Sequence, residues 1–146
     1  MPDSVASLGG SSKLLLDSWP IMEWLKGREP VATQFEGLIE GGLDGRFYFL
    51  MSRMNYGEVL YSIKKDFPSN RVEQAIQAFL EIPMEVYSVD DALVDEAVEL
   101  KAVYSISYAD AFAAALSLRL DIPLATGDKE LLALKKIGLK LHWMGA

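Results

Sequence analysis

The chain has no cysteine and a single histidine, His142, in 146 residues. Without thiols there can be no disulfide, no thiolate nucleophile and no zinc–thiolate site, and nothing can be inferred about redox compartment. With one imidazole, any metal site has to be assembled from oxygen ligands, which points to magnesium, manganese or calcium. Positive charge is scarce as well. Fourteen Lys and Arg stand against 21 Asp and Glu, a net charge of −7, and this argues against general affinity for nucleic acid because phosphate binding draws on cations. Any action on nucleic acid must therefore be local and bridged by metal. No apolar run approaches the roughly 18 residues of a membrane span, and the N-terminus lacks a basic-then-apolar signal pattern, so a cytoplasmic protein is expected. The length suits one domain able to bury a core unaided, and the 51% hydrophobic and 24% charged residues are ordinary for a globular protein.

What is present is organised around Lys13-Leu14-Leu15-Leu16-Asp17. A short unbroken apolar run ending on an acid reads as a buried central strand that presents a carboxylate at its C-terminal edge. In open α/β sheets that edge is where ligands bind. The preceding residues 1–12 hold Ser, Gly, Asp and Pro without periodicity and are expected to be a disordered leader, with one folded domain over 13–146. Ile21, Trp24 and Leu25 then mark a helix ending near Gly27, and Pro30 starts a second, with Phe35, Leu38 and Ile39 as its stripe and Gly41-Gly42 as its expected stop. Arg46 to Ser52 is a second strand. A helix bearing Tyr56, Glu58, Val59, Leu60 and Ile63 follows, and another opens at Pro68 with Val72, Ala75, Ile76, Phe79 and Leu80. Met84 to Val89 reads as a strand, Asp90-Asp91 as the cap of a helix to about Val103, and Ser107-Tyr108-Ala109-Asp110 as a capping box before an Ala-rich helix to Leu120. Pro123 to Thr126 is a short strand leading to Gly127-Asp128 and a further helix, and Leu139 to Met144 a closing strand. Strands alternating with helices predict an α/β fold with a parallel sheet covered on both faces.

Four acids follow elements that end at the expected edge: Asp17, Glu58, Asp110 and Asp128. Right-handed crossovers bring the ends of parallel strands to one side, so these four can converge across more than a hundred residues of sequence. Each also has an ordinary reading, with Asp17 and Asp128 as helix N-caps, Asp110 as half of a capping box and Glu58 as a solvated helix acid. Their joint placement on one edge favours a shared site over three independent caps and a solvated acid.

Leu14 to Trp19, Asn55-Tyr56-Gly57-Glu58, Ser107 to Phe112 and Leu124 to Asp128 resemble, in order, the motifs of the PIN domain family, and more narrowly the VapC-type toxins of toxin–antitoxin systems. The resemblance covers nearly everything from Lys13 to Trp143. Two departures stand out. Asp17 is followed by Ser-Trp rather than the commoner Thr-Ser, and Asp128 by Lys129 where many relatives carry proline. Neither removes an acid. The resemblance implies a three-layer α/β/α fold with a central five-stranded parallel sheet in order 3-2-1-4-5. It also implies a magnesium- or manganese-dependent endoribonuclease that hydrolyses phosphodiester bonds in RNA such as tRNA or rRNA, commonly a homodimer, with a small antitoxin protein as partner.

The physical logic agrees. Two like charges about 4 Å apart repel by roughly 4 kcal/mol at an effective dielectric of 20, so four carboxylates in one pocket call for a divalent counter-ion. Asp17, Asp110 and Asp128 are the expected direct ligands, in part through water. Glu58 is the expected second-site ligand or the group that orients the attacking water. Ser18 and Thr126 offer hydroxyls to orient these carboxylates or touch substrate phosphate, or simply to cap their elements.

Other candidates carry less. His142 lies in a closing strand with no acid near it in sequence and reads as packing. Tyr56 and Tyr108 flank two of the acids and could stack a base, although core packing is their commoner duty. Lys129, Lys135, Lys136 and Lys140, and separately Arg53, Lys64 and Lys65, form basic groups that read as solvated surface. A haloacid-dehalogenase-type phosphatase would need an Asp where this chain has Trp19. A response-regulator receiver would need an early acidic pair and a lysine after its last strand. The standing alternatives are a non-catalytic PIN-like binding module and another metal-dependent phosphohydrolase.

Overall fold

The computed structural model describes residues 11–146; most of the expected leader lies outside the described residues. Five parallel strands form one sheet in the order β3-β2-β1-β4-β5, with β1 at Ser12–Leu16, β2 at Phe47–Ser52, β3 at Glu85–Tyr87, β4 at Leu124–Thr126 and β5 at Leu141–Trp143. Helices α1 (Ser18–Leu25), α2 (Val31–Leu43), α3 (Arg53–Asp66) and α4 (Ser69–Leu80) connect the first strands. Helices α5 (Asp91–Val103) and α6 (Tyr108–Leu120) precede β4, and a 3-10 helix, Lys129–Ile137, precedes β5. Class, layers and strand order match the expectation. The first strand starts one residue early, since Ser12 pairs with Phe47.

The period-2 alternation of a strand decides how the sheet divides the core. Leu14, Leu16, Phe49 and Met51 point to the face covered by α1 to α4, where they meet Ile21, Phe35, Val59, Ile63 and Phe79. Leu15 and Leu50 point the other way, to Phe112, Leu116, Leu124, Leu131 and Leu134 under α5, α6 and the 3-10 helix. Burial on both faces is why β1 is uniformly apolar rather than alternating. All of Leu14, Leu15 and Leu16 are buried, each worth about 1.5–3 kcal/mol of transfer free energy.

Three expectations need correction. Gly41 and Gly42 lie inside α2, not at its end. They are there because a Cβ at Gly41 would overlap the Phe47 ring and one at Gly42 the Phe49 ring, so the helix packs backbone-close on β2. The chain turns two residues after Leu43 at Gly45, whose φ of +88° suits glycine. The segment after Asp128 is a 3-10 helix rather than an α-helix. Finally, Leu80 is half exposed at the end of α4 rather than part of its buried stripe.

Candidate metal site at the strand ends

Because β1, β2 and β4 run parallel, the residues that follow them all emerge at one edge. Asp17 follows β1 and is fully buried. Its two carboxylate oxygens accept from the Ser18 backbone N–H at 2.9 Å and from the Thr126 hydroxyl at 2.7 Å. The Thr126 oxygen in turn accepts from the Asp128 N–H at 3.0 Å, so one buried hydroxyl at the end of β4 ties the acids after two strands together. A Cβ at Gly127 would collide with the Met144 carbonyl and the Trp19 ring. That close approach tucks the Thr126–Asp128 turn against the start of α1, and it gives the unusual Trp19 a packing role.

Glu58 stands in the second turn of α3, and the Ser18 hydroxyl donates to its carboxylate. The helix that carries it is anchored by a buried polar strut. The Ser52 hydroxyl donates to Asn55 Oδ1 at 2.6 Å, and Asn55 Nδ2 donates to the carbonyl of Ala109 at 3.0 Å. Asn55 and Glu58 are three apart and so share a helix face, while Ala109 immediately precedes Asp110. The strut thereby sets the spacing between two of the acids.

Asp110 lies in the first turn of α6 and is 5% exposed. Its backbone N–H donates to the Ser107 hydroxyl at 3.1 Å, the first half of the expected capping box. In a complete box the acid reaches back to the backbone N–H of the capping residue. Here that N–H donates to Glu130 Oε1 at 3.2 Å, and Asp110 Oδ2 is buried without any hydrogen-bond partner. Glu130 is itself held by its N–H, which donates to Asp128 Oδ1 at 3.0 Å. A continuous run of hydrogen bonds thus joins Asp17, Thr126, Asp128, Glu130, Ser107 and Asp110.

Electrostatically the group is unbalanced. Among the described residues, none of Asp17, Glu58, Asp110, Asp128 and Glu130 takes part in an ion pair, whereas Asp44, Asp66, Asp90 and Asp121 elsewhere all do. Burial, with the charges of Glu58 and Asp128 adding to it and the Thr126 and Ser18 hydrogen bonds opposing, pushes the Asp17 carboxyl up to about 7. Burial, then the charge of Asp17 and the carboxylates of Asp128 and Glu130, pushes Asp110 up to about 9. Ionised carboxylates offer one another no donor, so Asp110 Oδ2 needs a proton or a cation.

The tightest group comprises Asp110, Asp128 and Glu130, with one carboxylate oxygen from each within 4.8 Å of the others. Asp17 and Glu58 border this trio without belonging to it. Two of the four expected acids therefore meet directly and the other two flank them. Glu130 is an acid that sequence reasoning missed; the available signal was the Asp128-Lys129-Glu130 spacing after a strand ending in Thr126. The donor set is all oxygen and contains an orphaned buried carboxylate atom, which fits a hard divalent cation. Asp17 and Asp128 are also the N-caps of α1 and of the 3-10 helix, so cap and shared site prove compatible.

The lesser candidates lie as expected on packing or surface. His142 packs edge-on to Phe47, with ring centroids 6.4 Å apart, and burial lowers its pKa. Tyr56 packs on Phe79 and Tyr108 on Phe112. Arg53 lies over Tyr56, Lys65 over Tyr61 and Lys136 over Tyr104, and Lys140 pairs with Asp121.

The all-parallel sheet in the order β3-β2-β1-β4-β5 with acids gathered after its strands defines an α/β domain with a candidate divalent-cation site. The model of the PIN domain matches residues 14–137, and the chain belongs to that family. No curated protein sequence matches the chain. Among solved structures it is similar to VapBC2 from Rickettsia felis bound to a DNA fragment from its promoter, with a TM-score of 0.68 and 16% identity over 91% of this chain and 99% of that one. It is similar to VapBC-1 from nontypeable Haemophilus influenzae, with a TM-score of 0.61 and 18% identity over 90% and 97%. It is also similar to the sarcin-ricin-loop-cleaving toxin VapC20 from Mycobacterium tuberculosis, with a TM-score of 0.63 and 13% identity over 86% and 95%. At these identities the likeness is one of fold.

Proposed function

We propose that the chain is a magnesium- or manganese-dependent endoribonuclease, the toxin of a type II toxin–antitoxin pair. The observation that carries this reading is the buried, unpartnered Asp110 Oδ2 beside further carboxylates with no cation of the protein among them. Asp17, Asp110 and Asp128 hold the metal, and Glu58 serves as a second ligand or orients the attacking water. A divalent cation bound there supplies charge neutralisation and Lewis-acid polarisation of the phosphate. The protein's own part is positional. Thr126 fixes Asp17 and the Asp128 turn, and Ser18 fixes the Glu58 carboxylate, which accepts the proton of the water that attacks phosphorus. With a net charge of −7, RNA is engaged locally at the metal rather than by a broad basic surface.

The same reading includes a small antitoxin that docks an apolar segment beside α1 and α2. A cavity of about 290 Å³ lined by Trp24, Glu29, Ala32, Thr33 and Glu36 lies between α1 and α2 and is the surface that segment would cover. The antitoxin places a basic residue near the acids, satisfying their charge as a metal does. A cytoplasmic homodimer completes the proposal. Cleavage of a structured RNA by purified protein with magnesium or manganese is the test. It should stop on adding EDTA and in Asp110→Asn protein that keeps its fold, and full activity of Asp110→Asn would overturn the reading. Purification from the native operon should retain the antitoxin; recovery of the chain alone would count against that partner.

A further inference from the structure

We infer that Glu130 is a positioning residue that takes over the capping duty of Asp110 and thereby leaves the Asp110 carboxylate free to bind metal. The inference rests on the proposed metal site and deepens it. Ser107-Tyr108-Ala109-Asp110 has the spacing of a capping box, in which the third residue of the helix folds its side chain back onto the backbone N–H of the cap. An Asp110 engaged in that way would have one oxygen committed to its own helix. Instead the Ser107 N–H donates to Glu130 Oε1 at 3.2 Å, from 23 residues further along the chain, while the Asp110 backbone N–H donates to the Ser107 hydroxyl and the Asp110 carboxyl lies against the carboxylates of Asp128 and Glu130, which carry no proton to give it. The outcome is visible at Asp110 Oδ2, which is buried and has no partner. Glu130 can reach because its N–H is fixed on Asp128 Oδ1 at 3.0 Å, so the turn that delivers Asp128 also aims the substitute cap. The separation of roles follows from exposure: Glu130 is exposed and can meet its charge with water, whereas Asp110 is enclosed.

Two Glu130 variants test the acceptor role. Glu130→Gln keeps an acceptor oxygen for the Ser107 N–H, and Glu130→Ala removes it; both lose the same charge, so their difference isolates the hydrogen bond. In calorimetric titration with manganese, Glu130→Ala should bind about tenfold more weakly than Glu130→Gln, the scale on which groups orienting a ligand affect metal affinity. Equal affinities of the two variants would overturn the inference; because an amide oxygen can also ligate a hard cation, the distinction from a direct ligand is carried by a measurement without metal. A second measurement needs no metal. With Asp110 present, the Gln-to-Ala change at 130 should scarcely alter the melting temperature, because Asp110 can fall back onto the Ser107 N–H. In an Asp110→Ala background no substitute remains, and the same change should lower the melting temperature by about 2–4 °C, the worth of one cap in a chain of this size. The same loss in both backgrounds would overturn the inference. A parent protein that binds no manganese would defeat the proposed metal site, while the melting comparison would still decide the role of Glu130.

Discussion

Asp90 and Asp110 begin neighbouring helices and face opposite electrostatic worlds. Asp90 caps α5 from the surface. It accepts from the Leu93 N–H at 2.8 Å and pairs with Arg119, and these partners hold its carboxyl below the usual range. Asp110, one helix on, is buried among other carboxylates and pushed up to about 9. Both are acids in capping sequences, and the difference lies in what surrounds them. A satisfied acid stabilises a helix end. An unsatisfied one costs the metal-free fold, and the proposed metal would relieve that cost.

Substitutions should amplify that contrast. The largest effect is expected on RNA cleavage. Asp17→Asn should lower metal-dependent turnover by about 10³-fold, in line with removing a group that stabilises the charge of a phosphoryl transition state, whereas Asp90→Asn should leave it within about twofold, since surface changes away from a site are near neutral. Equal losses in the two variants, measured on one RNA substrate, would erase the distinction between the acids.

A smaller effect of opposite sign is expected on stability. Asp110→Asn removes a carboxyl that has to take up a proton to stay buried in the metal-free fold at neutral pH, and should raise the metal-free melting temperature by about 2–4 °C, the equivalent of roughly 1 kcal/mol in a chain of this size. Asp90→Ala should lower it through loss of the cap, with and without magnesium alike. Thermal melts of the two variants check both signs, and a fall in each case would show that Asp110 acts as an ordinary cap.

The pH dependence follows the same division. Asp17 and Asp110 have folded-state pKa values, about 7 and about 9, above the ordinary carboxyl value of 3.8. Below 3.8 both states are protonated and the groups cost nothing. As pH rises, the unfolded carboxyls ionise first, so metal-free stability should decline from about pH 4 until the folded groups have also ionised, near pH 7 and pH 9. Asp90 is depressed, so its contribution is present above its ordinary pKa and is lost as pH falls through the lower folded value. Denaturant melts without metal across pH 4 to 9 should show the decline in the parent and a reduced one in Asp110→Asn; an identical slope in both would contradict the assignment.

Much of this was legible in the sequence, for identifiable reasons. The fold was, because Leu14-Leu15-Leu16 and Phe47 to Met51 are apolar on both faces and so announce central parallel strands. The candidate acids were, because Asp17 and Asp128 directly follow β1 and β4, while Glu58 and Asp110 sit in the early turns of α3 and α6. Glu130 was not. In Lys129-Glu130-Leu131-Leu132 it looks like any exposed acid, and only the trans-capping of Ser107 shows its use. The Gly41-Gly42 pair misled because a helix stop and a close helix–sheet approach use the same residue, and only the facing Phe47 and Phe49 rings distinguish them. Asp17 and Asp128 are helix N-caps that also stand in the hydrogen-bonded acidic group, so a cap does not exclude the proposed site. The 3-10 geometry of 129–137 has no signal in a pattern that equally suits an α-helix.

The central claim is that these acids share one metal-holding pocket, and the most direct test is the melting temperature of the parent and of Asp128→Asn with and without magnesium or manganese. A metal at a hundredfold excess over its dissociation constant should stabilise the parent by about 2.7 kcal/mol, and Asp128→Asn should melt above the metal-free parent while losing most of that response. A parent indifferent to millimolar magnesium and manganese, with Asp128→Asn no more stable than it, would contradict the shared pocket.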